Sequence, residues 1–97
     1  MAPALADDAV NDLVTLFKAL ADPTRVQVLH VLKAASEPVC VCDLTAAFDL
    51  GQPTVSHHLA KLKAAGLVDS TKHGVWAYYR LADDLSPAAQ AALATIG

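Results

Sequence analysis

Apolar residues recur at helical spacing near the start of the chain. From Asp7 or Asp8 they repeat at i, i+3, i+4, i+7 and i+10, which predicts an amphipathic first helix. Residues 1–6 lie outside this repeat and are expected to form a flexible tail. The apolar stripe of the first helix consists of Val10, Leu13, Val14, Phe17 and Leu20.

Three further helices are predicted between residues that interrupt the pattern. Asp22-Pro23 supplies an N-cap and a Pro suited to the first helical position, so a second helix should run from there to about Ala35. Residues 39–49 predict a short third helix, after which Gly51 can adopt the positive φ of a helix C-cap. A fourth helix begins at once and is stopped by Gly66.

The fourth helix combines an apolar stripe with a polar outer face. Val55, Leu59 and Leu62 fall on one side, at i, i+4 and i+7. His57 and Lys61 point away from this stripe, at roughly 100° per residue. A polar helix introduced by a tight Gly turn is expected to be the reading helix of a helix-turn-helix, because the major groove accommodates such a face.

In the last third of the chain, the helical pattern gives way to residues that favour strands. Residues 67–81 are rich in Val, Thr, Trp and Tyr, which favour strands, and Lys72-His73-Gly74 supplies a turn, so a β-hairpin is predicted. Ser86-Pro87 then starts a last helix. The expected fold is mainly α with one hairpin, a winged helix-turn-helix of five helices plus a wing, in one domain spanning residues 1–97.

Composition and charge narrow the function. The net charge of −3 argues mildly against a nucleic-acid partner, since phosphate binding depends on Lys and Arg. The positive residues nevertheless cluster in the segment that would face DNA, so a local field is expected. No apolar stretch has the length of a membrane span and no secretory signal is found, so a cytoplasmic protein without a membrane partner is expected. No set of residues indicates an enzyme.

Cys40 and Cys42 are the only cysteines. With one residue between them they should make a poor disulfide, because the closed ring is small, and a reducing cytosol would keep them as thiols. Two thiolates select thiophilic ions. Both sulfurs can reach one ion only at an unfinished helix N-terminus, where the helix dipole also favours the thiolate. A metalloid site is predicted, with a dithiol redox or persulfide sensor as the alternative.

Six short motifs follow one another along nearly the whole chain. They are Leu20–Arg25, Cys40–Leu44, Ser56–Leu59, Ala65–Val68, Lys72–Gly74 and Tyr78–Leu81. In order and spacing they resemble the arsenic-repressor (ArsR/SmtB) family of winged helix-turn-helix metalloregulators. This resemblance implies a homodimeric repressor that leaves its double-stranded operator DNA when metal binds.

Departures from the family pattern bear on the inducer. Arsenite-sensing members often carry a further Cys three residues after the second, where this chain has Thr45. Cadmium and lead sensors also use cysteines of an N-terminal arm, and residues 1–20 contain none. Zinc, nickel and cobalt sensors use His and carboxylates of the last helix, and residues 86–96 have neither. The resemblance therefore implies As(III) or Sb(III) at Cys40 and Cys42, with no organic cofactor.

The other predicted sites concern DNA and a second copy of the chain. The DNA-contacting residues are expected to be Gln52, Thr54, Ser56, His57, Lys61, Lys72 and His73. The apolar stripes of the first and last helices have no obvious partner within so small a domain, so they are expected to form a two-fold dimer face. That face is predicted to include Leu13, Phe17, Ala89 and Leu93.

Three other side chains are expected to have structural roles. Arg25 should cap a helix or lie at the surface, with a phosphate contact as the alternative. His58 borders the apolar stripe of the fourth helix, and Trp76 should pack within the wing. A function of a different class also stays open, that of a small metal carrier or interaction module that does not bind DNA.

Overall fold

The chain folds into five α-helices and a three-stranded antiparallel sheet, in a computed structural model that describes residues 1–97. The helices are α1 (Asp7–Leu20), α2 (Pro23–Ala34), α3 (Val41–Phe48), α4 (Gln52–Ala64) and α5 (Pro87–Ala94). The strands are β1 (Val39–Cys40), β2 (Val68–His73) and β3 (Trp76–Leu81). The predicted winged helix-turn-helix of five helices plus a wing is confirmed. None of the helices is long and apolar enough to cross a membrane.

Helix starts are set by local capping, as predicted. The Asp22 carboxylate accepts a hydrogen bond from the Arg25 backbone N–H at 3.1 Å, and Pro23 opens α2. At the start of α5, the Ser86 hydroxyl accepts a hydrogen bond from the Ala89 backbone N–H, also at 3.1 Å. Each cap satisfies a backbone donor that the helix itself leaves without a partner.

The third helix is shorter than predicted. Residues 39–40 form β1, which pairs with residues 78–79 of β3, and α3 starts only at Val41. The left-handed residue after α3 is Asp49, with φ 52°, whereas Gly51 has φ −67° and is the N-cap of α4. The prediction of Gly51 as a C-cap was therefore wrong. Asp can take the left-handed conformation because its short polar side chain bonds locally.

The wing is a regular hairpin. Strands β2 and β3 pair from Val68 with Leu81 to His73 with Trp76. The loop has two residues, and its first, Gly74, has φ +66°, a conformation that hairpin turns of this length demand. The turn thus lies one residue later than the predicted Lys72-His73-Gly74. Strand β3 is central, since β1 pairs with its other edge.

The core is built from all five helices and β2. The predicted stripe of α4 is buried completely, with Val55, Leu59 and Leu62 at most 1% exposed. Ala89 and Leu93 of α5 belong to this same core, at 2% and 4% exposure. The expectation that the stripe of the last helix lacks a partner inside the domain was wrong, because α5 packs onto the chain's own core.

A different apolar surface is left open on α1. Val10, Val14 and Phe17 are 41%, 42% and 59% exposed, although they are large apolar side chains. They lie at i, i+4 and i+7 and therefore share one face of the helix. Leu13 is half-buried. Of the four residues predicted for the dimer face, only Phe17 lies in this exposed stripe.

Candidate DNA interface and thiol site

The outer face of α4 is polar and open to solvent. Thr54, His57 and Lys61 are exposed and follow one another at i, i+3 and i+7, so they form one line along the helix. Gln52 lies about 200° round the helix from Thr54, and its side-chain amide donates a hydrogen bond to the half-buried Ser56 hydroxyl at 2.9 Å. The structure thus brings three of the five α4 residues of the predicted DNA set into one exposed line, and it places Gln52 and Ser56 on the opposite flank of the helix.

The two remaining residues of the predicted DNA set, Lys72 and His73, lie exposed near the tip of the wing. The His73 ring packs edge-on against Tyr78, with ring centroids 5.4 Å apart. Val75 and Trp76 are 87% and 50% exposed, so Trp76 packs within the wing only in part. The tip therefore carries two polar residues together with two exposed apolar ones.

A hydrogen bond joins the reading helix to the wing. The Lys63 ammonium donates to the Ser70 hydroxyl of β2 at 2.8 Å. Sequence reasoning left the role of Lys63 open, because nothing local relates it to a hydroxyl beyond the turn. The bond helps to fix how the two predicted DNA-contacting elements are oriented to each other.

Arg25 connects the reading helix to α1. Its guanidinium donates to the carbonyl oxygens of Ala19 at 2.8 Å and Lys18 at 3.1 Å, so it caps the C-terminus of α1 as expected. A third nitrogen lies 3.2 Å from His58 Nδ1 on α4. Because a guanidinium can only donate, His58 Nδ1 accepts this bond. The expected structural roles of Arg25 and His58 are both confirmed.

Asp22 completes this polar cluster. Its carboxylate lies 3.9 Å from His58 Nδ1. The hydrogen bond from the Arg25 backbone N–H, followed by the charge of the Arg25 side chain, lowers the pKa of Asp22 below its ordinary value of 3.8. The surroundings in the folded chain therefore favour the ionised form of this carboxylate.

The two cysteines lie where β1 ends and α3 begins. Cys40 has extended backbone and is the N-cap of α3, and its sulfur accepts a hydrogen bond from the Cys42 backbone N–H at 3.2 Å. Cys40 is 4% exposed, whereas Cys42 is half-buried. The predicted change from extended to helical backbone at this point is confirmed, and it turns both side chains toward each other.

The structure joins Cys40 and Cys42 in a disulfide. The expectation of two free thiols was therefore wrong for this state of the protein. Their Cα atoms are 5.1 Å apart, inside the range of about 4.4–6.8 Å that disulfides use. The bend between strand and helix turns the two side chains toward each other, whereas side chains two residues apart on a uniform helix point roughly 200° apart. Reduction of the pair is required before either sulfur can bind an ion.

The cysteine pair has no third ligand from this chain. No group of three or more His, Cys, Asp or Glu side chains could hold a metal ion. Thr45 lies one helical turn after Cys42, and its hydroxyl donates to the Cys42 carbonyl oxygen at 2.7 Å. The donor set therefore fits a thiophilic ion that accepts two protein sulfurs, and it does not fit a four-coordinate zinc site.

Comparison with known proteins identifies the family. Residues 22–70 match the model described as bacterial regulatory protein, arsR family. An uncharacterized HTH-type transcriptional regulator of Methanocaldococcus jannaschii is 45% identical over 69 residues, which cover 71% of this chain and 76% of that protein. The arsenical resistance operon repressor of Escherichia coli is 47% identical over 68 residues, or 70% of this chain and 57% of the relative. The match thus spans little more than half of the latter protein.

A solved structure agrees with this assignment. The homodimeric winged helix-turn-helix DNA-binding domain from Mycobacterium bovis, determined by NMR in solution, superimposes with a TM-score of 0.75 at 28% identity. The match covers 99% of this chain and 86% of that one. The family match extends from the N-cap of α2 into β2, so it contains both the cysteine pair and the reading helix. The chain belongs to the arsR family of bacterial regulatory proteins.

Proposed function

We propose that this protein is a transcriptional repressor that binds operator DNA as a homodimer and releases it when As(III) or Sb(III) binds Cys40 and Cys42. The observation that carries the proposal is the position of the cysteine pair between α4 and the wing, the two elements proposed to contact DNA. Cys40 ends β1, which pairs with wing strand β3, and Cys42 lies in α3, which packs against α4. A ligand at this pair can therefore act on both elements.

The DNA contact that we propose follows from exposure and chemistry. Thr54 and His57 point out of α4 and can reach base edges in the major groove. Lys72 and His73 can reach the DNA backbone from the wing, a contact that positions the protein without reading sequence. The negative net charge of the chain does not argue against this contact, because neither α4 nor residues 71–76 at the tip of the wing contain an acidic side chain. The Escherichia coli relative is itself named a repressor.

The exposed stripe of α1 supports the dimer. Val10, Val14 and Phe17 form an apolar strip that a second copy can cover about a two-fold axis. The Mycobacterium bovis neighbour is homodimeric. In such a pair two reading helices lie about one DNA turn apart, roughly 34 Å, and bind two half-sites of an operator.

Binding of the inducer needs the reduced pair. A thiol reductant supplies two electrons to the disulfide and is itself oxidised to a disulfide. The two thiols then replace two hydroxides of As(OH)₃, which leave as water with the thiol protons, so two S–As bonds form without a change in oxidation state. The third position on arsenic keeps its hydroxide or takes an external thiol. Bonding at Cys40 and Cys42 draws the first turn of α3 out of its present geometry and shifts α4.

An operator-binding assay on reduced protein tests the proposal. We expect arsenite to release the wild type from a labelled palindromic operator and to weaken binding about five- to a hundredfold, the usual range of allosteric coupling. Cys40→Ser and Cys42→Ser should bind the operator normally but resist arsenite, because one thiolate cannot chelate. Zinc should release the wild type poorly.

Two results would count against this function. A single Ser variant that still releases DNA at the wild-type arsenite concentration would contradict the two-thiol site. Arsenite binding without any binding of DNA would support the metal-carrier alternative.

The disulfide in the structure favours a second candidate, a repressor that senses oxidants through the same pair. The two candidates require opposite states, since the oxidised pair has no thiolate to offer arsenic. Comparing operator affinity before and after treatment with diamide, without arsenite, separates them. Release by diamide together with resistance of the reduced protein to arsenite would favour the redox sensor.

A further inference from the structure

A depression of about 290 Å³ lies between α1, the start of α2 and the C-terminal half of α4. It is lined by Thr15, Lys18, Ala19, Arg25, Lys61 and Ala64. Three of these six residues are Lys or Arg and none is acidic, although the whole chain has only seven Lys and Arg and a net charge of −3. The depression is therefore far more positive than the average surface of this protein.

Arg25 interacts with the nearby Asp22 carboxylate, but the two lysines of the depression have no internal partner. Elsewhere in the chain, Lys33 donates to carbonyl oxygens at the end of α5, Lys63 donates to Ser70, and Arg80 pairs with acidic side chains. The ammonium groups of Lys18 and Lys61 have no such partner, and both side chains are exposed. Two cations without internal partners therefore border one concave site, an arrangement that favours the entry of an anion.

Arg25 adds a fixed cation to the site. Two of its nitrogens are held by the carbonyl oxygens at the end of α1 and a third by His58. A guanidinium has five N–H donors in a rigid fork, so two remain for a ligand. Because the side chain is already immobilised, binding of an anion costs little additional ordering.

The depression continues the exposed face of α4. Lys61 stands one turn after His57 in the line that starts at Thr54. A nucleic-acid strand that follows this face would carry a backbone phosphate past the mouth of the depression. On α1, Thr15 and Ala19 lie roughly 100° or more from the exposed apolar stripe, whereas Lys18 borders it at i+4 from Val14, so a second copy seated on that stripe leaves the Thr15 side of the depression open.

We propose that this depression binds a phosphate group through Lys18, Arg25, Lys61 and the Thr15 hydroxyl. The observations favour a phosphate of the operator backbone, and in this form the inference rests on the proposed DNA binding. A free phosphate or a phosphorylated small molecule offers the same chemistry. The site extends the DNA footprint from α4 onto α1, where no contact was predicted from the sequence.

The salt dependence of operator binding tests this inference. For Lys18→Gln we expect the slope of log K against log salt to become shallower by about 0.9, the value of one lost phosphate contact on duplex DNA. Affinity should fall by the same factor for operator and unrelated DNA, since a phosphate contact carries no sequence information. Lys18→Arg should keep the slope.

A matched control separates a contact from the general field. Asn11→Asp makes the same change in net charge about two turns earlier on α1, at another exposed position. It should leave the slope unchanged. If Asn11→Asp and Lys18→Gln flatten the slope equally, the inference is overturned, because overall charge then explains both results.

A second measurement tests the free ligand. Inorganic phosphate and pyrophosphate are titrated into wild type and into the Lys18→Gln, Lys61→Gln double variant by calorimetry. If the salt slope is unchanged but the wild type binds phosphate and the double variant does not, the site stands with a free phosphate as its ligand. If the variants keep both the salt slope and the phosphate binding of the wild type, the inference is overturned. Operator binding by the wild type would then still support the proposed function. If the wild type binds no operator, the proposed function fails and the calorimetry alone decides.

Discussion

Under the proposed function, Thr45 decides whether the inducer meets two or three protein ligands. It follows Cys42 by three positions on α3, so both side chains lie on one face of the helix, and its hydroxyl is bonded to the Cys42 carbonyl oxygen. A hydroxyl at this place stabilises the first turn but is a poor ligand for a soft ion. A single substitution at Thr45 would thus turn the two-sulfur site into a three-sulfur site.

Thr45→Cys should make the protein more sensitive to arsenite. A third thiolate one turn from Cys42 can occupy the position on arsenic that hydroxide or an external thiol otherwise fills. We expect half-maximal operator release at an arsenite concentration lower by a factor on the order of ten, equivalent to about 1.4 kcal/mol. Thr45→Ser, which keeps the hydroxyl, is the control. Equal sensitivity of all three proteins would show that this face of α3 does not reach the ion.

Asp22 makes the stability of the fold depend on pH in acid. Because its pKa is lowered in the folded chain, its contribution is fully present above its ordinary pKa of 3.8 and is lost as the pH falls through the lower, folded value. Asp22→Asn keeps an N-cap of similar quality but does not titrate. The melting temperature of the wild type should therefore fall toward or below that of the variant as the pH is lowered through and below 3.8. Parallel curves would rule out a role for this carboxylate.

At the scale of elements, the reading helix and the wing are expected to differ in what they contribute to binding. Helix α4 presents hydrogen-bonding side chains at its exposed face, whereas the wing presents Lys72 beside apolar residues. Base contacts discriminate between sequences and backbone contacts do not. Substitutions in the two elements should accordingly change different observables.

His57→Ala should relax sequence preference at one or two base pairs, at a cost of about 1–3 kcal/mol on the preferred operator. Lys72→Ala should weaken binding to all sequences and make the salt slope shallower by about 1. Binding of both variants to the operator and to point-substituted operators, at several salt concentrations, separates these effects. An unchanged slope for Lys72→Ala would mean that the wing does not touch phosphate.

The elements that could be predicted from the sequence are those with a local signal. The helices have apolar repeats and caps such as Asp22, and the hairpin has strand-forming residues around a glycine. Strand β1 could not be predicted, because two residues have no measurable period and their pairing with β3 depends on a distant part of the chain. For the same reason, the sequence did not show that Lys18 and Lys61 line one depression, because only tertiary packing brings them to it.

At the scale of the whole molecule, the sequence could not tell which apolar stripe faces the core and which faces a partner. Both terminal helices carry such a stripe. Packing buries Leu93 and Ala89 of α5 within the chain, whereas Phe17 and its neighbours on α1 remain exposed. An apolar stripe by itself does not show whether it faces the core or a partner, so only the assembled fold distinguishes the stripe of α1 from that of α5.

Charges placed on the two stripes should therefore have different effects. Leu93→Asp buries an unpaired carboxylate in the core and should lower the free energy of unfolding by several kcal/mol. Phe17→Asp should leave the fold intact but produce a monomer with weak operator affinity. Thermal melting and sedimentation at matched concentrations test both. A wild type that is strictly monomeric at tens of micromolar protein would remove the two-fold operator model.

The burial of Cys40 in a two-residue strand bears on the rate of any response at this pair. A sulfur on a residue that is only 4% exposed meets a solute when the local structure opens. So short an edge strand belongs to the least protected part of a fold, where amide hydrogens exchange with solvent well before those of the core. Under the proposed function, the opening frequency of β1 sets an upper limit on how fast induction begins. The inducer then binds an open conformation of β1 that the ligand-free protein already visits.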